Sequence, residues 1–178
     1  RNYVVQIDSL NKLNKKLTAD AAEARRQAAE SKRMTEELSK TVEDLSGRVA
    51  TGAVLKAYNL KTEAYNASDK VTDRSSRVTY LLTTLSLGEN DLAERGPVTV
   101  YIRVKDPDGI LLLNDVQKTF EYNGEPMVAS ASREVDYQGS EVEMGIYLNG
   151  IAGYTKGVYT IEAYTAKSLL GTTELMLR

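Results

Sequence analysis

The chain has 178 residues, of which 42% are hydrophobic and 27% charged, and a net charge of −2. That composition belongs to a folded chain with room for one small domain and an extension, and it lacks the basic excess expected of a nucleic-acid binder. The sequence holds no Cys, His or Trp, which excludes a thiol nucleophile, an imidazole base, a disulfide staple and the usual zinc ligand sets. No catalytic, metal or cofactor site is expected.

No run of about 18 apolar residues is present to span a membrane. The chain opens at Arg1 directly on a helical pattern, so a signal peptide, lipid anchor or membrane helix is expected upstream of Arg1. With Ile7 as heptad position a, the a positions read Ile7, Asn14, Ala21, Ala28, Thr35, Val42 and Val49. The d positions read Tyr3, Leu10, Leu17, Ala24, Ser31, Leu38 and Leu45. A stripe sustained over about six heptads predicts a coiled coil over residues 1–52. Glu36–Lys40 and Asp44–Arg48 are i,i+4 pairs in the favourable orientation.

A lone helix would leave this stripe in water, so it needs a partner. A fold-back hairpin requires a Gly- or Asn-rich turn, and residues 18–46 contain neither. The partner expected is a second copy of the chain. Ile7, Leu10, Asn14, Leu17, Ala21, Ala24, Ala28, Leu38, Val42 and Leu45 are the oligomerising residues. A lone Asn at an a position fixes register and strand number, and Asp20 at g faces Arg25 at e of a parallel neighbour. A parallel dimer is preferred, with a trimer as the alternative. The Ala-rich centre buries little apolar area, which makes it softer than the Leu and Val layers at either end.

From residue 53 the period changes from 3.5 to 2. Strands are predicted at 54–60, 78–87, 98–104, 118–122, 127–135, 142–148, 158–165 and 172–177, with a polar stretch at 66–76. Val98, Val100, Ile102 and Val104 alternate with Thr99, Tyr101 and Arg103. The turn Asp106-Pro107-Asp108-Gly109 follows, in which Pro presets φ and Gly accepts a positive φ. Seven to eight short strands with no helical pattern among them predict an antiparallel immunoglobulin-like β-sandwich over residues 53–178.

The β half resembles a group of uncharacterised envelope proteins of Bacteroidetes, in which a membrane anchor and coiled coil precede a small sandwich. The resemblance is carried by Leu55-Lys56-Ala57, by Ser86-Leu87-Gly88-Glu89-Asn90 and by Val100-Tyr101-Ile102-Arg103-Val104-Lys105-Asp106-Pro107-Asp108-Gly109. The ending Lys156-Gly157-Val158-Tyr159-Thr160-Ile161-Glu162-Ala163-Tyr164 and the later Gly171-Thr172-Thr173-Glu174-Leu175 extend it over most of 53–178. It implies a periplasmic protein held to the membrane by a segment upstream of Arg1, and it implies no activity.

Within the β half, Tyr101, Tyr147, Tyr159 and Tyr164 are the candidates for a face that binds a glycan or peptide. Against this stands the general preference of strands for Tyr, each ring covering core with its hydroxyl in water. Asp69, Asp73, Glu89, Asp91, Asp106, Asp108 and Asp115 fall in turns. A few could converge on Ca²⁺, although Asp is what turns use in any case. Asp8-Ser9-Leu10 matches a short O-glycosylation pattern of Bacteroidetes, with Ser9 at an exposed c position. The function expected is that of a non-catalytic structural or adaptor protein of the cell envelope. A phage or surface fibre component and a carbohydrate-binding module are the alternatives, and an enzyme ranks behind them.

Overall fold

A computed structural model describes residues 2–178, which divide into a helical unit ending at Val49 and a β unit, Ala50–Arg178. Helix α1 spans Asn2–Gly52, 51 residues without a break, or about 75 Å at 1.5 Å per residue. None of the three prolines falls in it. The hydroxyls of Ser9, Thr18, Thr35 and Thr41 each donate to the carbonyl four residues back, so these weak helix formers are satisfied locally. Among the described residues the ion pairs along it are Asp8–Lys12 at 2.9 Å and Glu23–Arg26 at 3.0 Å, in place of Glu36–Lys40 and Asp44–Arg48. Such exposed pairs differ in energy by a few tenths of a kcal/mol, too little for spacing to select one over another. The helix has no buried residue, and it is not long and apolar enough to cross a membrane.

The second unit holds nine strands: β1 Ala57–Tyr65, β2 Tyr80–Leu87, β3 Gly96–Lys105, β4 Lys118–Tyr122, β5 Glu125–Ala129, β6 Ala131–Tyr137, β7 Val142–Leu148, β8 Gly157–Tyr164 and β9 Leu169–Leu177. They form a three-stranded sheet in the order β1-β2-β7, a four-stranded sheet in the order β6-β3-β8-β9, and a separate β4-β5 hairpin, with every pairing antiparallel. Strands β1, β2 and β7 thus hold the A, B and E places of an immunoglobulin-like sandwich, and β3, β8 and β9 the C, F and G places. Strand β6 extends the C edge as a C′ strand does in variable-type domains.

The core is the one the alternation predicts. Val100, Ile102 and Val104 of β3 and Ile161 and Ala163 of β8 pack with Leu81, Leu85 and Leu87 of β2 and Met144, Ile146 and Leu148 of β7. One polar pair sits inside it, Thr62 and Thr83 on neighbouring strands, whose hydroxyls lie 2.9 Å apart.

Three strands differ most from expectation, and the last of them, expected at 172–177, already begins at Leu169. The stretch 127–135 reads as one strand but is two, divided at buried Ser130. The Ser130 N–H donates to the Ile102 carbonyl at 2.8 Å and its hydroxyl accepts from the Val104 N–H at 2.9 Å. The chain bends there, so β5 leaves the sheet to pair with β4 while β6 stays on β3. The first strand begins at 57 and runs on to 65, and Asn59 at φ 56° marks a register shift within it between Tyr58 and Lys61. Such a bulge breaks the two-residue period from which strand limits are read.

Candidate functional site

The helical unit offers one surface. Ile7, Leu10, Leu17, Leu38, Val42 and Leu45 are all exposed, from 51% at Leu45 to 65% at Leu38, and Asn14, Ala21, Ala24 and Ala28 are exposed beside them. Scattered single apolar residues need no explanation, but a continuous row does. Ser9 is also exposed, with its hydroxyl on the Val5 carbonyl at 2.9 Å.

In the β unit, the four candidate tyrosines do not share a face. Tyr159 is only 1% exposed and Tyr164 only 8%. Tyr159 belongs to the main core, and its hydroxyl accepts from the Thr155 N–H at 2.8 Å and donates to the Thr155 carbonyl at 3.0 Å. That is the tyrosine corner of immunoglobulin-like sandwiches, placed as usual at the start of the F strand. The hydroxyl bonds explain why so bulky a polar residue faces inward.

Tyr164 and Tyr101 lie opposite one another on β8 and β3, on the outer face of the four-stranded sheet, where the β4-β5 hairpin covers them. Tyr101 stacks on Phe120 at 4.3 Å, and Tyr122 meets Tyr164 edge-on at 5.0 Å. Beside this cluster the Glu162 carboxylate accepts from Lys105 at 3.2 Å and from the Tyr164 hydroxyl at 3.2 Å, with Arg103 at 4.0 Å. Burial, with Glu162 adding to it, raises the Tyr164 phenol above its ordinary range.

Tyr147 is 56% exposed and sits on the other sheet. It joins a row that alternation within single strands does not reveal: Tyr65, Tyr80 and Tyr147, one from each strand of the three-stranded sheet. Tyr65 and Tyr80 stack at 5.2 Å and 4°, and Tyr147 is tilted by 55° to Tyr80 at 5.7 Å. The Tyr80 hydroxyl donates to Asp69 at 3.0 Å and that of Tyr65 to Glu63 at 3.3 Å. Desolvation, reinforced by these carboxylates, raises both phenols. Tyr65 and Tyr80 stack in parallel and Tyr147 is tilted to them, so the three rings do not share one plane. The register that pairs Tyr65 with Tyr80 brings them together, and no local pattern in the sequence marks it.

The acidic residues do not converge. Asp69 holds Tyr80, Asp73 pairs with Arg178 at 2.6 Å, and Asp106 accepts the N–H groups of Asp108 and Ile110 to close its turn. Among the described residues no group of three or more His, Cys, Asp or Glu is placed to hold a metal ion.

One cleft of about 370 Å³ opens where the β2-β3 and β8-β9 connections meet the start of β3. Val54, Leu55, Pro97, Thr99 and Tyr101 line it, and Lys167 stands at its wall, paired with Glu94 at 3.2 Å. This is within the size range of ligand pockets and mostly apolar, with Glu94, Thr165 and Lys167 among its polar lining.

Fold and surfaces together define an immunoglobulin-like sandwich domain preceded by a long helix with a coiled-coil stripe. Residues 58–178 match the family described as "Domain of unknown function (DUF8428)", and the chain belongs to that family. Residues 1–43 match a second model, "Coiled-coil region of unknown function (DUF8429)". No curated protein matches the chain. Among solved structures it is similar to the alkylpurine DNA glycosylase AlkC of Pseudomonas fluorescens, at 14% identity and a TM-score of 0.42, covering 72% of this chain and 31% of that one. It is similar also to a β-glucosidase of Kluyveromyces marxianus, at 14% identity and TM-score 0.37, covering 67% of this chain and 15% of the other. The bacterial hydrophobin BslA matches at 14% identity and TM-score 0.32, covering 70% of this chain and 100% of that one. The chain thus spans less than a third of the glycosylase and less than a sixth of the glucosidase.

Proposed function

We propose that the protein is a non-catalytic structural or adaptor protein of the bacterial cell envelope. Its helix pairs in parallel with a second copy, and its sandwich presents a binding surface to a protein or glycan partner. The observation that carries this reading is the helix itself: 51 residues with an unbroken heptad stripe and no residue buried by its own chain. A long helix in a protein owes most of its stability to packing of such a stripe, and the coiled-coil model covers residues 1–43 of it. The envelope setting and an upstream anchor rest on the resemblance of the β half to Bacteroidetes envelope proteins.

Light scattering of the full chain tests the pairing, with twice the chain mass of 19.6 kDa expected. Because the chain has no Cys, Ala21→Cys, at another a position, supplies a single thiol that oxidises efficiently across the pair only if the helices run parallel and in register. A monomer at micromolar concentration would sink the proposal. A trimer would move it towards a surface fibre component.

A further inference from the structure

We propose that the β4-β5 hairpin is a strap closed over an aromatic face of the four-stranded sheet, and that it opens without unfolding the sandwich. Opening lengthens the cleft beside Tyr101 into an aromatic groove across β3 and β8. Strand β4 pairs only with β5, and the two stand outside both main sheets. The hairpin is held to the outer face by a small apolar cluster, to which it contributes Phe120, Tyr122, Met127 and buried Ala129. Phe120 lies parallel on Tyr101 and tilted on Tyr164, Tyr122 meets Tyr164 edge-on, and the Val128 carbonyl accepts from Arg103 Nε at 3.1 Å.

Both ends of the strap are fixed. Ser130 is buried and bonded to Ile102 and Val104, and the Leu112 N–H donates to the Val104 carbonyl at 2.8 Å. The segment between can move about these points with the β3 ladders intact. The charges beneath it satisfy one another, since Glu162 meets Lys105, Arg103 and the Tyr164 hydroxyl directly. Asn114, which donates to the Asn149 carbonyl at 3.0 Å, belongs to the fixed end. Lifting the 118–129 hairpin therefore breaks the Arg103 hydrogen bond and uncovers a small cluster separate from the main core, buried Ala129 included. Units held this way open locally at a small fraction of the global cost. Tyr101 belongs to both features: it lines the cleft and carries Phe120. The inference does not depend on the partner proposed for the sandwich or on pairing of the helix.

Native-state hydrogen exchange of the full chain tests it. The ladder amides of 118–129 are expected to exchange at least ~100-fold faster than those of β3 and β8, with little dependence on denaturant. Phe120→Ala should speed the hairpin amides by a further ~10-fold or more, leave β2, β7 and β8 within about twofold, and move the ring signals of Tyr101 and Tyr164. Phe120→Leu, which keeps an apolar contact, should fall between. Exchange of the hairpin in step with β3 and β8, or loss of the whole sandwich in Phe120→Ala, would overturn the proposal.

Discussion

The Tyr159 hydroxyl is locked to Thr155, accepting from its N–H at 2.8 Å and donating to its carbonyl at 3.0 Å, so one phenol at the start of β8 ties down the connection that precedes it. Tyr159→Phe keeps the ring in the core and leaves both backbone groups without this partner. A loss of about 1–3 kcal/mol is expected, read as a lower urea midpoint at constant m-value.

Tyr154, next to that corner, has the opposite balance. Its ring sits 6.1 Å from that of Tyr159, and its hydroxyl is buried with no hydrogen-bond partner among the described residues. Tyr154→Phe removes an oxygen that no protein group satisfies. It should leave stability unchanged within ~0.5 kcal/mol or raise it, in contrast to Tyr159→Phe.

The same residue sets an alkaline limit. Burial first, and Tyr159 second, push its phenol from 10.0 up to about 12. The folded state favours the protonated ring, so the unfolded chain ionises first. The contribution is fully present below pH 10 and is lost as pH climbs through about 12. The melting temperature should fall across that window, and Tyr154→Phe should flatten part of the fall. Tyr65, Tyr80 and Tyr164, raised by burial and nearby carboxylates, and Lys61, raised by its hydrogen bond to Glu63, act in the same direction.

Gly157 opens β8 at φ 136°, and a Cβ there would lie 2.6 Å from Pro107 Cγ. Both the backbone conformation and the rigid proline ring oppose a side chain. Gly157→Ala is expected to cost about 2–4 kcal/mol by chemical denaturation. Gly96, at φ 130° with open space around its Cβ position, provides the comparison: Gly96→Ala bears the backbone strain alone and should cost less.

The helical stripe should be separable from the sandwich. Leu17→Asp with Leu38→Asp places charges in two apolar layers and is expected to give a monomer by light scattering. The melting transition of the β unit should stay in place, because neither leucine is buried in the monomer. A dimer that survives both changes would mean that the stripe is not the interface.

By itself the sequence determined the parts that depend on period. The heptads from Tyr3 to Val49 lie on one uninterrupted helix. Val100, Ile102 and Val104 face the core, as do Met144, Ile146 and Leu148. These follow from 3.5- and 2-residue repeats, which each segment carries without reference to the others. Only the tertiary structure decided what depends on neighbouring strands. Alternation assigns Tyr101, Tyr159 and Tyr164 to sides of their strands, but not what covers each side. Tyr159 turned inward because Thr155 could satisfy its hydroxyl, and Tyr164 and Tyr101 were roofed by a hairpin that exists because Ser130 bends the chain. Tyr65, Tyr80 and Tyr147 became a row because antiparallel register brought three distant segments side by side. Register and coverage are long-range properties, and no local period encodes them.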